Sequence, residues 1–336
     1  RLLMSYTSFD NIGLVKVLSF FQTHDSEYLS GQDLSDVLKI SRVAVWKHIK
    51  KIQKLGYKIE SKQKLGYRLT NNTEKLLPWE ITQNLKTKII GKRVYYFEEI
   101  DSTQNFAQQI ASDKKEDGTI IIAQKQTSAK GRLDRKWVSP KGGIWCSLII
   151  RPKFDVSSST LVPIAGAVAL SKSIELVLGI ETAVKWPNDI TMNGKKVAGI
   201  LVDASFQAAM IEYMILGIGI NFDIDSKKIE RKLSNTPNFY GINSLRKKGD
   251  DTPPKLLLKE FLLQFEKVLF QLNKGEKSKI VKEWTKRAEG MGKKITINTS
   301  NGSISGIAKG IDNDGALKLK TNKKLERIFV GDVILK

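Results

Sequence analysis

The 336-residue chain carries 56 Lys and Arg against 35 Asp and Glu, a formal charge of +21, with 41% hydrophobic residues. This length accommodates two or three domains with real cores, and the charge favours anionic partners, nucleic acid foremost. A single cysteine excludes an internal disulfide and fits a reducing cytoplasm, two histidines without a Cys/His cluster argue against zinc, and neither an apolar run near about 18 residues nor a signal-peptide pattern points to a membrane.

In chain order, residues 11–22 place apolar side chains at helical spacing. Ser30 is placed to cap a second short helix ending near residues 38–40. Ser41 caps a third, from Arg42 to Leu55, which Gly56 stops. In it Val43, Val45, Ile49 and Ile52 are expected to face inward. Arg42, Lys47, His48, Lys50, Lys51 and Lys54 are expected outside. Residues 57–61 and 66–69 read as two strands around a basic turn that contains Lys64. Two short helices, the second basic and capped, followed by a wing predict a winged helix-turn-helix. Its candidate DNA-binding residues are Ser41, Arg42, Lys47, His48, Lys50, Lys51 and Lys64. The plainer reading is a small helical domain with a solvated lysine face.

Residues 71–73 form a polar break, the expected domain boundary. A helix is expected over 76–85 and a strand over 93–97. Asp101, Ser102 and Thr103 open a helix over 106–112, where hydroxyls and free N–H groups either cap it or hold a carbonyl or carboxylate. Strands are expected over 119–123 and 144–150, the latter containing Cys146, read as a core side chain. About twenty residues rich in Lys and Arg separate them. Such a long loop suits an anion, phosphate foremost, or is a solvated basic loop.

Further on, residues 161–178 read as an apolar helix and 182–186 as a strand running into the turn Pro187-Asn188-Asp189. Residues 195–202 and 213–221 read as antiparallel neighbours. Gly217 and Gly219 signal a close approach by a ligand or backbone. A polar irregular segment is expected over 223–252, then helices over 254–272 and 278–288. Short strands with turns at 300–302 and 312–315 complete the tail as a small barrel over 293–335.

Several of these stretches together resemble one family. Lys130-Gly131-Arg132 with Arg135-Lys136-Trp137 is similar to the Gly-Arg-Gly-Arg…Trp loop of biotin protein ligases. Lys185-Trp186-Pro187-Asn188-Asp189 matches their Lys-Trp-Pro-Asn-Asp motif, and Asp101-Ser102-Thr103 their Asp-Ser-Thr motif. The segments 196–201 and 217–221 match two further family strands in the family's order. With the winged helix and the terminal barrel, the chain resembles the bifunctional ligases and biotin-operon repressors along almost its full length.

The resemblance implies an α+β fold in three parts: a winged helix-turn-helix over 1–72, a mixed-sheet, class II synthetase-like ligase domain over 73–288, and an SH3-like barrel over 289–336. It implies that biotin and ATP, with Mg²⁺, form biotinyl-5′-AMP. The biotin then passes to a lysine of a biotin carboxyl carrier protein, that of acetyl-CoA carboxylase. It further implies a homodimer on operator DNA, in the cytoplasm. Lys185 and Arg132 are the implied catalytic residues. Ser102, Thr103, Gln104, Gln126, Lys130, Gly131, Arg132, Lys185 and Gly199 would hold biotin. Lys130, Arg132, Trp137, Asn188 and Asn221 would hold the nucleotide, and Trp137 and Trp186 would wall the apolar part of biotin. Ala129, Lys130 and Asp134 depart from the family loop, where Gly, Arg and Gly are usual, so loop closure is the property in question. The alternatives are a ligand-sensing repressor that transfers poorly, a lipoate ligase, and a DNA-binding module with a non-enzymatic ligand domain.

Overall fold

The computed structural model describes residues 12–24, 27–236, 239–300 and 302–335. Expectations that fall on residues 1–11, including the start of the first helix, and on Asn301 in the tail lie outside these.

The first unit is three helices and a wing: α1 (Ile12–Thr23), α2 (Gly31–Leu38), α3 (Arg42–Lys54), β1 (Lys58–Lys62) and β2 (Gly66–Asn71). The Ser30 hydroxyl accepts from the Asp33 N–H at 3.0 Å and that of Ser41 from Ala44 at 3.2 Å, each satisfying a free donor of the helix start. Val45, Ile49 and Ile52 are buried against Leu14, Val17, Leu18, Phe21 and Leu34. Val43, expected inside, is 63% exposed. It stands two residues from Val45, about 200° around the helix, so both cannot face the core. His48, expected outside, is half-buried on the flank of the stripe, with its Nε2 2.9 Å from where a Cβ on Gly13 would stand. The glycine in α1 leaves room for the ring in this position. Burial, then Lys51, lowers the His48 pKa. Gly66 in the wing has φ +108°, and a Cβ there would lie 2.1 Å from the Leu29 carbonyl. Leu29 and Tyr67 exchange two backbone hydrogen bonds at 2.8 and 2.9 Å, which tie the wing to the α1–α2 connection.

The second unit starts with α4 (Pro78–Thr82), shorter than the helix expected over 76–85. It continues as β3 (Val94–Phe97), α5 (Thr103–Ile110), β4 (Ile120–Ala123), β5 (Ile144–Ile150), α6 (Val162–Leu178), β6 (Ala183–Lys185), β7 (Asp189–Met192), β8 (Lys195–Gln207), β9 (Met210–Ile220), α7 (Ser226–Leu233), α8 (Pro254–Asn273) and α9 (Lys277–Arg287). Two elements were not anticipated. β7 begins inside the expected turn, and α7 lies in the segment expected to be irregular. The seven-stranded sheet has the order β3-β4-β5-β9-β8-β7-β6, with β3 and β4 parallel and every other pair antiparallel.

Strand alternation gives the sheet two faces. Ile120, Ile122, Cys146, Leu148, Leu216 and Ile218 belong to the large core that contains α6 and α8. Ile121, Ala123, Ile149 and Ile215 point the other way and pack under α5 with Phe97, Ala107 and Ala111. The stretch Val156–Leu178, α6 with the turn before it, is long and apolar enough to cross a membrane by composition, which the sequence reading did not register. Two thirds (67%) of its most apolar window is buried inside the fold, so here it is the central core helix. Cys146 is buried, and burial pushes its thiol up to about 12.

The third unit is a five-stranded antiparallel sheet: β10 (Lys294–Thr299), β11 (Gly302–Ile311), β12 (Leu317–Lys320), β13 (Leu325–Ile328) and β14 (Asp332–Leu335), in the order β13-β12-β11-β10-β14. It meets the second unit where the Trp186 indole N–H donates to the Gly315 carbonyl at 3.1 Å.

Candidate catalytic cavity

The second face of the sheet is only half covered by α5. Beyond it, register places Ser147 beside Gly217 and Leu201, and Trp145 beside Gly219, itself paired with Gly199. Three glycines on adjacent strands leave an open floor, and they line a cavity. The Trp137 indole lies on that floor. A Cβ on Gly219 would come within 2.6 Å of its ring and one on Gly199 within 3.1 Å. Its Nε1 is buried with no partner, a donor available inside the cavity.

The inner end is a chain of neutral polar groups. Ser102 caps α5, accepting from the Gln104 and Asn105 N–H groups, which fixes the helix start at the cavity. Gln126 Oε1 accepts from the Thr103 N–H at 2.8 Å, while Gln126 Nε2 donates to Ser139 at 3.1 Å. Thr103 Oγ1 and Ser147 Oγ are 2.9 Å apart, and Ser147 donates to Gln104 Oε1 at 2.8 Å. Gln104 Nε2 in turn donates to Asp203 at 2.8 Å. Each hydroxyl has one proton, so the proton order that satisfies every member runs Thr103 to Ser147 to Gln104. Ser147 was not singled out from sequence, although one Ser in an otherwise apolar strand was the available signal.

The outer end is charged. Lys185 is 6% exposed at the end of β6. Burial lowers its pKa, with Asp189, Glu289 and Asp332 acting in the opposite direction. Its Nζ stands 3.3 Å from the centroid of the Tyr240 ring, and the Tyr240 hydroxyl donates to Asp189 Oδ2 at 2.7 Å. Burial and the adjacent Asp189 raise the Tyr240 pKa well above its ordinary value. Asp189 also pairs with Lys196 at 2.6 Å, and Lys196 lies 4.8 Å over the Trp137 ring. Sequence reading missed Tyr240, Lys196 and the role of Asp189 as a hub. Tyr240 and Lys185 lie 55 positions apart, and no local pattern joins them.

The basic loop folds over this end as a tight hairpin. The Trp137 N–H donates to the Ala129 carbonyl at 3.0 Å and the Gly131 N–H to Arg135 at 2.7 Å. Arg132 Nη1 reaches Asn188 Oδ1 at 3.4 Å, and burial lowers the Arg132 pKa. Asn188 is held by its own bond to the Ile200 carbonyl, and Asn221 Nδ2 donates to the Lys196 carbonyl at 3.3 Å. Lys130 is exposed and pairs with Asp134 at 2.9 Å. Arg135 pairs with Asp332, so the hairpin is tied to the C-terminal sheet. Every cavity residue proposed from sequence therefore lines one space, from Ser102, Thr103, Gln104 and Gln126 through Gly199 and Trp137 to Lys130, Gly131, Arg132, Lys185, Asn188 and Asn221. The DNA-binding candidates lie apart on α3 and the wing; Ser41, Arg42, Lys47, Lys50, Lys51 and Lys64 are exposed, and His48 is not.

Residues 96–221 match the Biotin/lipoate A/B protein ligase family, residues 14–68 an HTH domain, and residues 290–336 the Biotin protein ligase C terminal domain. The chain is 36% identical to the bifunctional ligase/repressor BirA of Bacillus spizizenii over 95% of its own length and 97% of the relative's. It is 24% identical to the protein of the same name from Escherichia coli, over 97% and 98% of the two chains. Among solved structures, the biotin protein ligase of Aquifex aeolicus in complex with biotin and ATP superposes with a TM-score of 0.58 at 26% identity, covering 73% of this chain and 99% of that one. The glycine floor, the buried lysine under a basic hairpin, and the winged helix ahead of them thus stand in a chain that belongs to the bifunctional biotin ligase/repressor family.

Proposed function

We propose that the protein activates biotin with ATP, transfers it to a lysine of the biotin carboxyl carrier protein of acetyl-CoA carboxylase, and represses transcription as a biotinyl-AMP-responsive homodimer on operator DNA. The observation that carries the ligase reading is the polarity of the cavity, neutral and hydrogen-bonding at one end and cationic at the other. Thr103, Ser147, Gln104 and Gln126 offer the alternating donors and acceptors that a ureido ring requires, with Ser102 holding the helix start and Gly199 leaving room. The biotin carboxylate then points toward Lys185 and Arg132.

In the first step a carboxylate oxygen attacks the α-phosphorus and pyrophosphate leaves. Lys185, with Arg132, faces the negative charge that grows on phosphate, and the low-dielectric surroundings strengthen that interaction. In the second step the carrier lysine amine attacks the acyl carbon and AMP leaves. Between the steps the hairpin 129–137, with Lys130 and Gly131 at its turn, keeps water from the mixed anhydride. Trp137, Asn188 and Asn221 flank the nucleotide. Among the described residues no group of three or more His, Cys, Asp or Glu side chains is placed to hold a metal. Mg²⁺ would fit here as the counter-ion of ATP phosphates, with the amide oxygens of Asn188 and Asn221 and the carboxylates of Asp189 and Asp332 on the same cavity wall.

We take the three functional units as 1–72, 73–288 and 289–336, acting in the cytoplasm, where the buried Cys146 stays reduced. Biotin-dependent ATP–pyrophosphate exchange tests the reading, together with mass-spectrometric detection of bound biotinyl-AMP. Lys185→Ala is expected to lower exchange by on the order of 10²–10³. Exchange within a few-fold of wild type would remove Lys185 from the reacting centre, and no exchange by the wild type would leave a ligand sensor without ligase activity.

A further inference from the structure

The exposed face of α3 is not uniformly basic. Val43 is 63% exposed and Trp46 50% exposed, on a helix whose opposite stripe is fully buried. Val43, Trp46, Lys47 and Lys50 stand at i, i+3, i+4 and i+7 and share one face. Lys50 leans over the Trp46 ring, 5.9 Å from its centroid. Neither apolar side chain is used by the domain's own core. A face that only neutralises phosphate has no use for them, since phosphate contacts carry no sequence information. The major groove does present an apolar group to such side chains, the C5-methyl of thymine, and small apolar contacts recognise it.

We propose that Val43 and Trp46 read thymine methyl groups in the major groove, so that α3 recognises thymine-containing steps while its lysines hold the flanking phosphates. This inference rests on the DNA-binding reading given above. Three residues of helix advance about 4.5 Å along the axis, close enough to the base-pair rise for the two side chains to meet neighbouring or next-neighbouring pairs. Charge complementarity selects DNA over a second copy of the chain. Arg42, Lys47, Lys50 and Lys51 surround the apolar pair, with Lys62 and Lys64 exposed on the wing, and two such faces would repel each other.

The test uses the full-length protein with biotin and Mg-ATP, and a duplex enriched by that protein from a randomised pool. Each thymine is replaced singly by deoxyuridine, which removes only the methyl group. Affinity is expected to fall about three- to tenfold at one or two positions per half-site, the effect of one buried methyl contact and its packing. Val43→Ala and Trp46→Ala should each abolish the deoxyuridine penalty at one position while keeping the wild-type salt slope. Both positions are exposed, and unchanged thermal melting checks that the variants are folded. Equal affinity for thymine and deoxyuridine duplexes would overturn the proposal, as would a penalty that survives both substitutions. Loss of self-association in sedimentation, with the penalty intact, would instead make this face a contact between copies. No salt-dependent binding of wild type to any duplex would overturn the DNA-binding reading itself.

Discussion

In the proposed mechanism Lys185 serves the reaction only while it is charged, yet its burial lowers its pKa. The sign follows directly. As pH rises, the free enzyme loses the ammonium earlier than an ordinary lysine with a pKa near about 10.4 would. The kcat/KM of pyrophosphate exchange, which reports the free enzyme, should fall on an alkaline limb below that value. In Lys185→Arg the guanidinium stays charged, so whatever activity remains should lack the limb. An alkaline limb at the same pH in both proteins would assign it to another group. The loop residues that depart from the family can be separated in the same manner. Ala129 is buried and is not in the left-handed region, whereas Leu133 and Asp134 both have φ +55°. A glycine is thus conformationally favoured at 134, although Asp tolerates a positive φ better than most side chains, and not at 129. The Lys130–Asp134 pair is exposed and offsets little of the remaining cost. Asp134→Gly should slow adenylate release from the free enzyme, and Ala129→Gly, which adds chain freedom to a buried position, should hasten it. Release times that move in the same direction would refute this division.

At the scale of elements, α3 and the wing should act as a cationic clamp whatever bases they read. Replacing Lys47 and Lys50 by Ala removes two exposed charges from each protomer, so for the proposed dimer the slope of log affinity against log salt should shrink by up to about 3.6. An unchanged slope would place the DNA elsewhere. This element was legible in the sequence because its caps, Ser30 and Ser41, and its buried stripe are local signals. The long apolar strands β5, β8 and β9 and the helices α6 and α8 were legible for the same reason. Those same signals misplaced Val43 and His48, since apolar or basic character was used where angle around the helix decides. β7 was hidden because four residues emerging from a Pro-Asn-Asp turn carry no period of their own, and pairing with β6 and β8 makes the strand. α7 was hidden by its polarity. Its Ile229 and Leu233 find their partners around Trp145 only in the folded chain. Most of the candidate cavity was legible through short motifs. Tyr240, Lys196 and Asp332 were not, because their contacts with Lys185, Trp137 and Arg135 are tertiary.

At the scale of the molecule, the three units are fastened by charged contacts, one of which, Arg135–Asp332, borders the cavity. Tyr57, at the base of the wing, donates to Glu80, which also pairs with Lys255 of α8. Arg246 joins Glu74 in the connection to Asp223, two residues beyond Asn221. On the opposite side the C-terminal sheet holds the basic hairpin through Asp332 and Arg135, both only partly exposed. That last contact adds the third unit to the supports of the hairpin, beside the Arg132–Asn188 contact and the packing of Trp137 on the glycine floor. A charge-assisted pair of this kind contributes about 1.5 kcal/mol, roughly a factor of ten in an equilibrium constant. In Asp332→Ala the hairpin should open more often, and biotinyl-AMP should leave the free enzyme on the order of tenfold faster. Adenylate formation itself should stay within a few-fold of wild type, because the inner polar chain is untouched and Asp332 is the smallest of the charges acting on Lys185. Asp332→Asn keeps one acceptor for Arg135 without the charge and should fall between the two. Rapid-quench trapping of released adenylate measures all three. Release at the wild-type rate in Asp332→Ala would mean that the hairpin closes on the ligand alone, and that the C-terminal sheet takes no part in retaining it.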